Sequence, residues 1–126
     1  MTPDHIPGIE QAIAFVEARF PDLNVKHRYC PQCDHAHQES PRQYAHTAHF
    51  PGTICWAHAI IDLPVEHQIG ICLHEYGHVI AGDRDQSEFD DEADADQAVL
   101  EELGVEIKYL GDRELQWVDE ETLRNA

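Results

Sequence analysis

His74-Glu75-Tyr76-Gly77-His78 is the stretch from which the rest of the chain is read. On an α-helix, residues at i and i+4 project from one face, so His74 and His78 can converge on a single ion. The form His-Glu-x-x-His is the arrangement in which two imidazoles hold zinc and the glutamate between them serves as general base. The flanks agree with a helix. Asp62-Leu63-Pro64 reads as its start, an N-cap followed by proline in the first turn. Val65, Ile69, Cys72, Tyr76 and Ile80 recur at helical spacing, and Gly82 is a natural stop. The spacing predicts a helix of about 17 to 19 residues, one face buried and the neighbouring face carrying ligands.

Catalytic zinc usually takes three protein ligands and leaves one position to water. The third must come from elsewhere, because two histidines of one helix cannot supply it. A second helix is expected after a polar connection, opened by Ser87-Glu88-Phe89-Asp90 and stopped by Gly104. Within it Glu92 and Asp96 are spaced i and i+4, with small alanines between them that would let this helix approach the first closely. Glu92 can reach the metal, and Asp96 can accept a hydrogen bond from a ligand histidine. Glu88, Asp90, Asp91 and Asp94 compete with Glu92, and a solvated acidic face is the plain alternative for all of them.

With these residues, 62 to 104 of the chain resembles the gluzincins, zinc peptidases with His-Glu-x-x-His followed on a later helix by Glu-x-x-x-Asp. His74, Glu75 and His78 match the first part, and Glu92 and Asp96 match the second. The short separation is most similar to minimal single-domain gluzincins, and the Glu-Ala-Asp run resembles the ImmA- and IrrE-like bacterial and phage-associated peptidases. The resemblance implies a zincin-like α+β fold, a small mixed or antiparallel sheet packed on the motif helix and its ligand-bearing successor. It also implies a zinc metalloendopeptidase acting on a peptide or protein. Zinc on His74, His78 and Glu92 would activate a water, Glu75 would carry its proton to the leaving amine, and Asp96 would orient one histidine. Family members steady the oxyanion with Tyr or His; Tyr109 and His58 are available, and no motif selects either. A zinc-binding regulatory or interaction module without turnover is the rival reading, set against the retention of Glu75, which a purely structural site does not need.

Towards the N-terminus, Ile9, Ile13, Val16 and Phe20 mark an amphipathic helix from about Pro7 to Phe20. Leu23, Val25, His27 and Tyr29 alternate with polar residues as a half-buried strand. Cys30-Pro31-Gln32-Cys33 then forms a Cys-x-x-Cys knuckle, which supplies two of the four donors of a structural zinc site. His35, His37, His46, His49 or Cys55 could complete it, and reduced cysteines in a tight loop are the plainer reading. A thioredoxin-like pair is disfavoured because no βαβ pattern surrounds it. Residues 34 to 43 read as exposed loop. Gln43 to Phe50 and Thr53 to Ala57 read as a hairpin about Pro51-Gly52, with residues 53 to 59 a candidate sheet edge for an extended substrate, although an ordinary strand is the commoner case.

Beyond Gly104, Val105, Ile107 and Tyr109 alternate as a strand, Gly111-Asp112 turns, and Leu115, Trp117 and Val118 suggest a last short strand. The tail from Asp119 to Ala126 is acidic and expected to fray. The 126 residues suit one domain. The formal net charge is −17, and from Asp83 onward 16 acids meet 4 bases. Nucleic-acid binding is therefore not expected, since it needs a basic footprint. No apolar run suits a membrane span and the first residues lack the features of a signal peptide, so a cytoplasmic protein with reduced cysteines is expected.

Overall fold

The computed structural model describes residues 6–39, 44–46, 53–81, 91–110 and 115–126. Within its helices and strands the side chains of Gln32, Ala36, His46, Asp91, Glu92, Ala93, Asp94 and Leu110 are outside that description. The architecture is mixed α+β. In chain order come α1 (Pro7–Arg19), β1 (Lys26–Tyr29), α2 (Pro31–Glu39), β2 (Ala45–His46), β3 (Thr53–Trp56), a 3-10 turn (His58–Asp62) and α3 (Val65–Ala81). After these come α4 (Asp91–Ala98), which continues as a π-helical turn (Val99–Leu103), then β4 (Lys108–Leu110), β5 (Leu115–Trp117) and α5 (Glu120–Asn125). No described helix is long and apolar enough to cross a membrane.

The motif helix α3 is the hub. Ten successive residues, Gln68 to Gly77, are buried, so neighbours cover it on several sides. On one side α1 supplies Ile9, Ala12, Phe15 and Val16. Gln68, only 3% exposed, fastens this contact: its Oε1 accepts from the Gly8 N–H at 3.0 Å, and its Nε2 donates to the Ile60 and Leu63 carbonyls, each at 3.1 Å. A buried amide is tolerated there because both its ends are satisfied. On another side the β5 backbone crosses Gly70, where a methyl group would stand 2.6 Å from the Gln116 carbonyl carbon. Val118 N–H donates to the Glu66 carbonyl at 3.1 Å, tying the end of β5 to the same helix.

The three-stranded sheet runs in the order β1-β3-β2, with β3 parallel to β1 and antiparallel to β2. Two sequence expectations change here. The segment offered as a substrate edge is the central strand: Cys55 and Trp56 pair with Arg28 and Tyr29 on one side and with His46 and Ala45 on the other. Thr53 to Trp56 are buried throughout, as two-sided pairing requires, so this stretch is no free edge. Secondly, residues 31–39 are helical rather than a loop, which makes β1-α2-β3 a strand-helix-strand unit with parallel strands. α2 carries mainly polar side chains, so it has no apolar stripe to announce it.

The carboxyl end differs in the same way. Residues 120–125 form a helix capped by Asp119, whose Oδ1 accepts from the Thr122 N–H, and Leu123 is buried. Arg19 Nη2 donates to the Ala126 carbonyl at 2.5 Å, joining the end of the chain to α1. Gly104 ends the π-helical turn with φ of 72°, the left-handed conformation that glycine takes without strain. β4 and β5 form an antiparallel pair. The expected turns at Pro51-Gly52 and Gly111-Asp112, the stop at Gly82, the cap at Ser87 to Asp90 and most of the Gln43 to Phe50 strand lie outside the described residues.

Candidate metal centre

Late in α3, His74 is 2% exposed, Glu75 is 7% exposed and His78 is half-buried. The two imidazoles meet edge to face, ring centroids 4.7 Å apart and planes at 84°, with the Nε2 atoms 3.1 Å from each other. Opposite them, Asp96 of α4 accepts from His74 Nδ1 at 2.6 Å. An ionised carboxylate only accepts, so Nδ1 carries a proton, and in the neutral imidazole Nε2 is then the nitrogen with the lone pair. Tyr109 of β4 donates its hydroxyl to the second Asp96 oxygen at 2.5 Å. Asp96 is thus held by one donor on each oxygen.

This alignment depends on how closely α4 approaches α3. At Gly77, inside the motif, a side-chain carbon would overlap the Ala95 carbonyl oxygen and stand 2.9 Å from a Val99 methyl. Glycine at 77 and alanine at 95 let the helix backbones touch, and Asp96 is the next residue along. Among the described residues, His74, Glu75 and His78 form the group whose ligand atoms all lie within 4.8 Å of one another, and this group could hold a metal ion. Glu92 lies in the first turn of α4, one helical turn before Asp96, but its side chain falls outside the described atoms. Glu88, Asp90, Asp91 and Asp94 fall outside with it.

Below the histidines a polar network ties α3 to the sheet. Trp56 Nε1–H donates to His27 Nδ1 at 3.0 Å, and His27 Nε2 lies 3.0 Å from the Tyr76 hydroxyl. The indole is donor only, so Nδ1 of His27 is an acceptor and Nε2 carries the proton that Tyr76 accepts. Burial pushes the Tyr76 hydroxyl pKa up, keeping the phenol neutral. Sequence reasoning put His27 on the inner face of its strand by alternation, but a partner three segments away has no local signal.

Of the two residues available for oxyanion binding, Tyr109 is engaged with Asp96, while the His58 ring stacks on Tyr29 at 4.3 Å and the His58 backbone N–H donates to Asp34 Oδ1 at 2.7 Å. Cys30, Cys33 and Cys55 form a buried cluster with Ala57. Cys72 sits in the main core, where burial raises its thiol pKa and the Glu75 charge raises it further. The negative charge of Glu75 adds a small upward push on the Cys33 and Cys55 thiols as well. In comparisons with known proteins, the chain matches no family model, no curated protein and no solved structure.

Proposed function

We propose that the protein is a zinc-dependent metallopeptidase with a zincin-like fold. The observation that carries this reading is the pair of opposed Nε2 atoms, 3.1 Å apart, with His74 oriented by Asp96 beside a buried glutamate. Two nitrogens bound tetrahedrally at 2.0–2.1 Å from zinc stand roughly 3.3 Å apart, so the imidazoles fit the ion with little movement. Bound there, zinc would supply Lewis acidity, polarising a carbonyl and acidifying a water.

The chain's own groups take defined parts. His74 and His78 would hold the ion through Nε2, and Glu92, carried by its place on α4 and by the gluzincin resemblance, would be the third ligand. Asp96 keeps the proton on His74 Nδ1 and so keeps the other nitrogen available, while Tyr109 steadies Asp96. Glu75 would take the proton from the attacking water and release it to the nitrogen of the departing amine, a transfer worth about 10²- to 10⁴-fold in rate. Glu75 is 7% exposed, so protein rather than bulk water surrounds its carboxylate.

The same burial is what favours a second reading, a metal-binding module without turnover, since a buried carboxylate has little access to substrate. Glu75→Gln separates the two. For a peptidase, the zinc-loaded variant keeps its metal and loses hydrolysis of an unstructured protein such as casein by about 10²-fold or more. Metal retention in a wild-type protein that cleaves neither casein nor a mixed peptide library would favour the module.

A further inference from the structure

Three of the four cysteines come together from separate segments: Cys30 at the end of β1, Cys33 in the first turn of α2 and Cys55 in the middle of β3. Each is no more than 1% exposed, and none is joined in a disulfide. Among the described residues they form a small buried cluster with Ala57, apart from the main core that holds Cys72. The Cys33 N–H donates to the Cys30 carbonyl at 3.0 Å, and the Cys30 N–H donates to the carbonyl of Trp56, the residue after Cys55, at 3.1 Å.

A fourth donor stands close by. His37 follows Cys33 by one turn on the same face of α2, and among the described residues its buried Nδ1 has no hydrogen-bond partner. Its ring lies 4.5 Å from that of Tyr44, whose carbonyl accepts from the N–H of Ala57, the cluster's remaining member. His35 is excluded, because its ring is 72% exposed and paired with Glu39. We propose that Cys30, Cys33, Cys55 and His37 form a second metal site, structural and tetrahedral, that takes a thiophilic divalent cation of the zinc class.

The donor chemistry is that of a closed Cys₃His shell. Burial first, and then the neighbouring thiols, push Cys33 and Cys55 up to about 12, so without a cation those two sulfurs keep their protons. A dication displaces those protons and leaves three thiolates and a neutral imidazole around it. No three of these four donors lie within 4.8 Å of one another in the metal-free chain, so binding would have to draw them together. A dithiol exchange function fits poorly, although β1-α2-β3 supplies the strand-helix-strand setting, because exchange needs an accessible thiolate. The site would lock α2 onto the sheet beneath the motif helix, independently of the histidine pair.

The test uses the full chain with His74→Ala and His78→Ala, which removes the first site only. Reduced protein is loaded with cobalt(II), and metal per chain is measured beside the thiolate-to-cobalt charge-transfer absorption. One retained equivalent with that absorption is expected, abolished by Cys55→Ser or Cys30→Ser; His37→Ala should keep the absorption and weaken binding at least tenfold. The unmutated chain should show the same absorption, which keeps the result independent of whether a cysteine variant folds. Absence of charge-transfer absorption in both the unmutated and the double-histidine chains overturns the site, and binding indifferent to His37→Ala removes that residue from it. Because the first site is absent from the double variant, loss of the peptidase reading would leave this result unchanged.

Discussion

The Nδ1 of His74 lies 2.6 Å from Asp96 Oδ1, a hydrogen bond that spans two helices and sets which nitrogen of the imidazole is left for a metal. Asp96→Asn preserves shape but lets the ring take either tautomer. Its expected effect is a loss of about 10- to 100-fold in zinc affinity at the histidine pair, read by competition with a chromogenic chelator. Tyr109→Phe removes one donor to Asp96 at a residue 43% exposed, and should cost only a few-fold. An equal or larger loss in Tyr109→Phe would contradict the hierarchy.

Gly77→Ala tests the helix contact that makes this bond. The added methyl collides with the Ala95 carbonyl, which belongs to backbone and cannot rotate away. Overpacking of this kind costs about 1–3 kcal/mol, measurable as a lowered urea midpoint, and zinc affinity should fall with it as Asp96 is pushed back. A change below about 0.5 kcal/mol, the range of neutral surface substitutions, would show that the helices have room to spare.

The His27 network gives a separate prediction about stability. Trp56 is fully buried, so His27→Ala leaves its indole N–H without an acceptor and the Tyr76 hydroxyl without a donor. Stranding a buried polar group costs about 1–3 kcal/mol. Chemical denaturation should show that loss, while the zinc affinity of the histidine pair stays within a few-fold of wild type, because the bonds that are lost run to Trp56 and Tyr76. Retained stability in His27→Ala would mean the network is dispensable.

At the carboxyl end, hydrogen bonding to Thr122 holds the Asp119 pKa below its ordinary value of 3.8. A carboxylate whose folded pKa is depressed contributes stability above its unfolded value and loses it as pH falls through the folded one. The α5 helix should therefore loosen from its Leu123 anchor as pH drops below 3.8, and Asp119→Asn should remove that dependence. Amide hydrogen exchange of residues 120–125 across this range is the measurement; protection that is indifferent to pH in the parent chain would contradict it.

What could be read in advance follows from where the signal resides. α1 and α3 carry apolar residues at helical spacing, so their periodicity was legible. α2 is short and polar and α5 has a single buried anchor, Leu123, so neither left a pattern. The central position of β3 depends on which strands pair, a long-range choice that alternation within one strand does not encode. At the site, His74 and His78 were visible because one helix fixes both. The meeting of His74 with Asp96 rests on spacing across a helix pair, for which the alanines of α4 gave a hint and Gly77 the other half. Tyr109 reaches Asp96 from a strand with no local cue at all.

The central claim is that His74 and His78 hold zinc. It is tested most directly by the zinc content of metal-replete protein, measured by elemental analysis in the parent chain and in His78→Ala. A loss of one equivalent per chain on His78→Ala, whatever remains at the cysteines, is the predicted result; an unchanged zinc content, or a parent chain with no zinc at all, would contradict it.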